Sequence, residues 1–177
     1  MRSLSTPRLL KTLESNPNNP PLCQAPDQVL KKPGLVLDEH ACDCHAHICG
    51  PATLFPYSSK RIYTPPDALL PQYRALLNHL GIVRAVLVQP SIYADDNRAL
   101  LAALKVDPLH LRGITVVDWE ISEQDLEKMH HAGVRGVRCN IVDLAEAKGV
   151  LPIMKLRYLA DKIAPLGWHI EFLMHVN

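Results

Sequence analysis

Apolar runs at Ala41–Ile48, Arg84–Gln89, Leu111–Val117, Val134–Asn140 and Trp168–Leu173 punctuate this chain, and stretches of helical period separate them. Each run is short, bounded by turn residues and rich in aliphatic side chains, which predicts a strand. Between the first two runs, Thr64-Pro65-Pro66-Asp67 reads as a helix start. Leu69, Tyr73, Leu76, Leu77 and Leu80 follow on one stripe, with Gly81 as the stop. Pro71 interrupts that stripe, so the helix kinks there or begins near Leu70. Asp95-Asp96 starts a second helix that turns Leu100, Leu101 and Leu104 to the sheet. Ser122-Glu123-Gln124-Asp125 is close to a capping box for a third, which stops at Gly133. Leu151-Pro152 opens a fourth carrying Leu159 and Ile163, before Pro165 and Gly167.

Strand, helix, strand at this spacing predicts right-handed parallel crossovers. A continuous apolar strand such as Ala85-Val86-Leu87-Val88 suits a parallel sheet covered by helices. The class is therefore α/β. Five strands and four helices fall short of an eight-stranded closure. The pattern fits either a small open sheet or the first part of a (β/α)8 TIM-type barrel, truncated after the fifth strand. A flavodoxin-like sheet would place a phosphate-binding glycine loop after its first strand, whereas Gly50-Pro51 begins a long proline-rich loop. Residues 1–40 lack any sustained period. Ser3-Leu4-Ser5-Thr6-Pro7 and Asn16-Pro17-Asn18-Asn19-Pro20-Pro21 mark them as an extended or disordered leader, with residues 41–177 forming the barrel part.

The first run, Ala41-Cys42-Asp43-Cys44-His45-Ala46-His47-Ile48, changes this picture most. Side chains alternate along a strand, so Asp43, His45 and His47 are expected on one face and Cys42, Cys44, Ala46 and Ile48 on the other. Each imidazole nitrogen needs a partner, and a strand with two imidazoles on one face suits the mouth of a barrel that carries chemistry. A pair of hydrogen-bonded structural histidines is the alternative. Polar residues also collect at the ends of later strands: Gln89-Pro90-Ser91 after the second, Asp118 after the third, Arg138 and Asn140 on one face of the fourth. An inward arginine is costly unless it meets an anion, and its fork suits a carboxylate. An internal ion pair with Asp118 or Asp143 is the other way to satisfy Arg138. Tyr63 could cap the pocket with its hydroxyl. Ser91 lacks a neighbouring histidine or a nucleophile-elbow context, so it reads as a hydrogen-bond donor to substrate. His130-His131 fall late on the third helix, where positive charge is favoured, and are expected at the surface.

Composition narrows the partners. Lys plus Arg is 19 against 18 for Asp plus Glu, a net charge of +1, which points to neither nucleic acid nor an acidic membrane surface. No apolar run approaches a membrane span. The five cysteines, at 23, 42, 44, 49 and 139, fit no disulfide framework and suggest a reducing, cytoplasmic setting. Cys42, Cys44 and Cys49 could suggest zinc, but alternation turns Cys42 and Cys44 away from the histidines, so buried structural thiols are expected.

Ala41-Cys42-Asp43-Cys44-His45-Ala46-His47-Ile48-Cys49-Gly50-Pro51, Phe55-Pro56-Tyr57, Tyr63-Thr64-Pro65, Val88-Gln89-Pro90-Ser91, Asp96-Asn97-Arg98-Ala99-Leu100 and Gly133-Val134-Arg135-Gly136-Val137-Arg138-Cys139-Asn140 together resemble one branch of the amidohydrolase superfamily. That branch is typified by 2-pyrone-4,6-dicarboxylate lactonase, and the resemblance covers about the first half of a family member. It implies a distorted (β/α)8 barrel that hydrolyses a carboxylated lactone or a related small anionic substrate. His45 and His47 match the pair that helps polarise the scissile carbonyl. Tyr63, Ser91 and Arg138 match positions that hold the substrate's carboxylates or ring, and Asn140 lies beside Arg138. Most of the superfamily uses the histidine pair to bind a divalent metal such as zinc, whereas this branch works without a cofactor. The family's histidine after strand six and general-base aspartate after strand eight have no counterpart, so this chain alone is expected to be inactive. The competing expectation is a non-catalytic half-barrel serving as a binding or oligomerising module, because open strand edges invite homo-oligomers or aggregation.

Overall fold

The computed structural model describes residues 20–27, 29–31, 33–142 and 151–174. Five strands, β1 (Cys42–Ala46), β2 (Arg84–Val88), β3 (Leu111–Thr115), β4 (Val134–Asn140) and β5 (His169–Leu173), form one parallel sheet in sequential order. The crossovers carry α1 (Leu70–Leu80), α2 (Arg98–Val106), α3 (Glu123–His131) and α4 (Ile153–Ile163). The sheet curls as a half-barrel does. His45 on one edge strand comes within 3.8 Å of Glu171 on the other, across the concave face.

Helices cover the convex face. Leu77, Leu87, Leu104, Leu111, Leu126, Val134 and Leu159 are buried there in one contiguous core. Gly113 sets how closely α2 approaches β3: a Cβ added there would lie 2.7 Å from a methyl of Leu104, so the helix packs directly on backbone. Gly133, at φ 102°, makes the left-handed reversal that returns the chain from α3 into β4.

Helix boundaries follow local chemistry with instructive departures. Pro71 sits in the first turn of α1, where its missing N–H costs nothing, so the helix starts at Leu70 and not at the Thr64-Pro65 segment. The Gln72 side chain closes that end by accepting from the Leu69 N–H at 2.7 Å. Helix α2 begins at Arg98, later than the Asp95-Asp96 start expected, because Asp96 is spent on a fork with Arg98 and Asn97 is tied to Val116, just past the end of β3. Ser122 caps α3 as expected, its hydroxyl accepting from the Asp125 N–H at 3.1 Å. Of the expected leader, residues 1–19 lie outside the described residues, while the Pro21–Cys23 stretch hydrogen-bonds to Thr64.

Two bulges re-aim side chains, and the one in β1 overturns an expectation. Asp43 pairs with Ala85 and Ala46 with Leu87, so β1 uses one residue more than β2 over this step. Ala85 and Leu87 face the helices, and Asp43 and Ala46 therefore do too. Asp43 accepts from the Tyr73 hydroxyl of α1 at 2.8 Å and does not share the face of His45 and His47. Simple alternation fails here because the extra residue inverts the pattern between Asp43 and His45. Cys42 and Cys44 also differ from expectation: both are exposed, since β1 is an edge strand, whereas Cys49 and Cys139 are buried with thiols pushed up to about 11 by burial.

Candidate active site

The end of β2 organises the site. Gln89 is fully buried, and its side-chain amide donates to the carbonyls of Asp96 at 2.9 Å and Ala94 at 3.4 Å. This fixes the turn that presents Ser91. Asn97 holds the same loop from the other side, donating to the Val116 carbonyl at 2.7 Å and accepting from its N–H at 3.2 Å. The backbone carbonyls of Val88 and Gln89 then receive, in succession, the two side chains of greatest chemical interest. His47 Nδ1 donates to Val88 O at 2.8 Å, and Arg138 Nη1 donates to Gln89 O at 3.1 Å.

A carbonyl can only accept, so the proton of neutral His47 resides on Nδ1 and its Nε2 is left as an acceptor. Burial holds His47 below the ordinary imidazole range, the bond to Val88 works against that, and the Arg138 charge adds to the lowering. His45 lies beside it, ring edge to ring face with centroids 5.1 Å apart, and stays about half exposed. Tyr63 faces Ser91 as well. Burial raises its phenol, while a hydrogen bond from Ser91 and the charge of Arg138 draw it back down. The structure thus brings His45, His47, Tyr63, Ser91 and Arg138 to one end of the sheet. Asn140 lies two residues beyond Arg138 on the same face, its side-chain oxygen accepting from the Val142 N–H at 3.1 Å.

Arg138 does not form the internal ion pair weighed from sequence with Asp118; Asp143 lies outside the described residues. Its guanidinium leans over β3 toward β2, leaving donors for an anion. His130 is the other departure: it accepts from the Trp168 indole N–H at 2.9 Å and is stacked on that ring, so it is structural, while His131 is exposed.

Sequence reasoning missed Glu171 and His169, which occupy the concave face of β5. Glu171 is the register partner of Arg138 and lies 3.8 Å from His45 Nδ1 and 3.9 Å from His169 Nε2. The signal was present in the alternation of His169 and Glu171 with Ile170 and Phe172. As for a metal, His45 and His47 are two nitrogen donors, and among the described residues no group of three or more His, Cys, Asp or Glu side chains is arranged to hold an ion. Two nitrogen donors are fewer than the three or four ligands of a tight zinc site.

A family model described as amidohydrolase matches residues 42–176, nearly the whole span of strands and site. The chain belongs to the amidohydrolase family. It is 42% identical over 139 residues to a 2-pyrone-4,6-dicarboxylate hydrolase of Comamonas testosteroni, covering 78% of this chain and 45% of that protein. It is 37% identical over 118 residues to a 4-sulfomuconolactone hydrolase of Rhizobium radiobacter, covering 67% of this chain and 40% of that one. Among solved structures, a putative 2-pyrone-4,6-dicarboxylic acid hydrolase from Pseudomonas putida superposes with a TM-score of 0.64 at 36% identity, over 77% of this chain and 49% of that chain. The chain of this amidohydrolase spans about half the length of the relatives it matches. No helix among the described residues is long and apolar enough to cross a membrane.

Proposed function

We propose that this chain carries the substrate-holding half of a lactone hydrolase, acting on a small lactone that bears a carboxylate. The observation that carries this reading is the placement of Arg138. A half-buried guanidinium, anchored by one nitrogen on the Gln89 carbonyl and without a carboxylate partner among the described residues, is a built receptor for an anion. Ser91 and Tyr63 stand beside it to receive the remaining oxygens.

With the carboxylate held there, the lactone carbonyl comes to the histidines. His45 is the N–H donor suited to the carbonyl oxygen, where negative charge grows as water adds. His47, pinned through Nδ1, offers Nε2 to a hydrogen of the attacking water or of a substrate hydroxyl. Water adds to the carbonyl carbon, the ring C–O bond breaks, and the proton passes to the released oxygen. Binding of the anion is the part of this reading that rests on Arg138, and it is the property to measure on this chain.

The test is binding of 2-pyrone-6-carboxylate and its methyl ester, followed by calorimetry. The free acid should bind at least about tenfold more tightly than the ester, and Arg138→Met should erase the difference. Equal affinity for acid and ester in the folded protein would overturn the reading. No resident metal takes part in this reading, and elemental analysis after dialysis should find well under one zinc per chain. A stoichiometric, tightly held zinc would require further ligands beside His45 and His47.

A further inference from the structure

We infer that Glu171 restricts this site to lactones carrying a single carboxylate and disfavours a second one. The inference rests on the anion-holding role of Arg138 proposed above and narrows it. Glu171 and Arg138 are neighbours in register on β4 and β5, which would ordinarily produce an ion pair. No such pair is present among the described residues. Arg138 reaches toward Gln89 on the far side of β3, and Glu171 turns the other way, toward His45 and His169. The concave face is thus divided, with its cation at the β2 side and its anion at the β5 side.

The geometry around Glu171 keeps it available to a ligand. Its two imidazole neighbours, at 3.8 and 3.9 Å, are beyond hydrogen-bond reach, so its oxygens retain lone pairs for an incoming donor. Its side chain is 26% exposed, which leaves it accessible on the concave face and yet shielded enough that a like charge beside it is poorly screened. A substrate held through one carboxylate at Arg138 presents its other end to this wall. A hydroxyl or ring N–H there gains an acceptor, while a carboxylate meets repulsion. The division is possible only because the sheet curls. Glu171 on one edge strand meets His45 on the other, so both walls of the concave face confront one small ligand.

A matched pair of probes differing by one carboxylate tests this on the full chain: 2-pyrone-6-carboxylate and 2-pyrone-4,6-dicarboxylate, with dissociation constants from calorimetry at neutral pH. The wild-type chain should bind the monocarboxylate more tightly. The isosteric change Glu171→Gln should move the ratio about tenfold toward the dicarboxylate, with the monocarboxylate little affected. Arg138→Met should weaken both. A ratio unchanged by Glu171→Gln, or a wild-type preference for the dicarboxylate, overturns this inference and leaves the anion-holding role intact. Failure of both probes to bind a chain shown to be folded by circular dichroism overturns that role and this inference with it.

Discussion

On the convex side of the sheet Leu87, Leu111 and Leu104 are completely buried, whereas on the concave side His45 and Glu171 keep 53% and 26% of their side-chain surface in water. The convex residues are interchangeable in kind. Each contributes apolar area, and any aliphatic side chain of similar volume would serve. The concave residues are not interchangeable, because they are held by named partners: His47 by Val88 and Arg138 by Gln89. One face is therefore packed by shape and volume and the other is organised by specific polar partners, on the same strands and at alternate positions. A parallel sheet with one helix-covered face permits this division, since the strand ends are the only places where polar groups remain solvated and convergent.

Four substitutions probe the contrast. Leu87→Ala, in the middle of the convex face, should cost about 2–5 kcal/mol in urea denaturation, because the surrounding helices cannot close on the space. A loss well under that range would mean the convex layer is loosely packed. Arg138→Met should cost less stability, about 1–2 kcal/mol, since it forfeits one charged hydrogen bond while keeping its aliphatic stem. If it destabilised as much as Leu87→Ala, the concave face would be structural too. Ser122→Ala removes the cap of α3 and should cost about 1 kcal/mol, a local effect visible in the same denaturation.

The smallest effect concerns pH. Burial, the Arg135 charge and His131 lower the His130 pKa from 6.5, so the unfolded chain binds this proton more readily than the folded one. The stability His130 contributes is present above that value and is lost as pH falls through the lower folded one. Protonation also ends its role as acceptor for the Trp168 indole. His130→Gln retains an acceptor and cannot take up a proton, so it should flatten the decline in urea midpoint between pH 7 and pH 5. An unaltered slope would remove His130 from the acid response.

Periodicity was a good guide wherever local chemistry acts alone. The strand runs became β1 to β5 with boundaries shifted by a residue or two, and Ser122 capped α3 because that choice depends only on neighbours along the chain. The candidate site was legible as a set of strand-end residues, and the fold does gather His45, His47, Tyr63, Ser91 and Arg138. Alternation failed at Asp43, where one inserted residue reverses the face, and register against β2 is a property of two strands. It failed also for Cys42 and Cys44, whose exposure follows from lying on a sheet edge.

By itself the sequence determined the α/β order, the family and the residue types available for chemistry, since these depend on period, punctuation and motif. Only the tertiary structure decided which partner each polar group took. Arg138 reaching Gln89 in place of its register neighbour Glu171, and Glu171 meeting His45 across the concave face, both depend on the curl of the sheet. That curl sums small twists over all five strands, and no single stretch of chain encodes it.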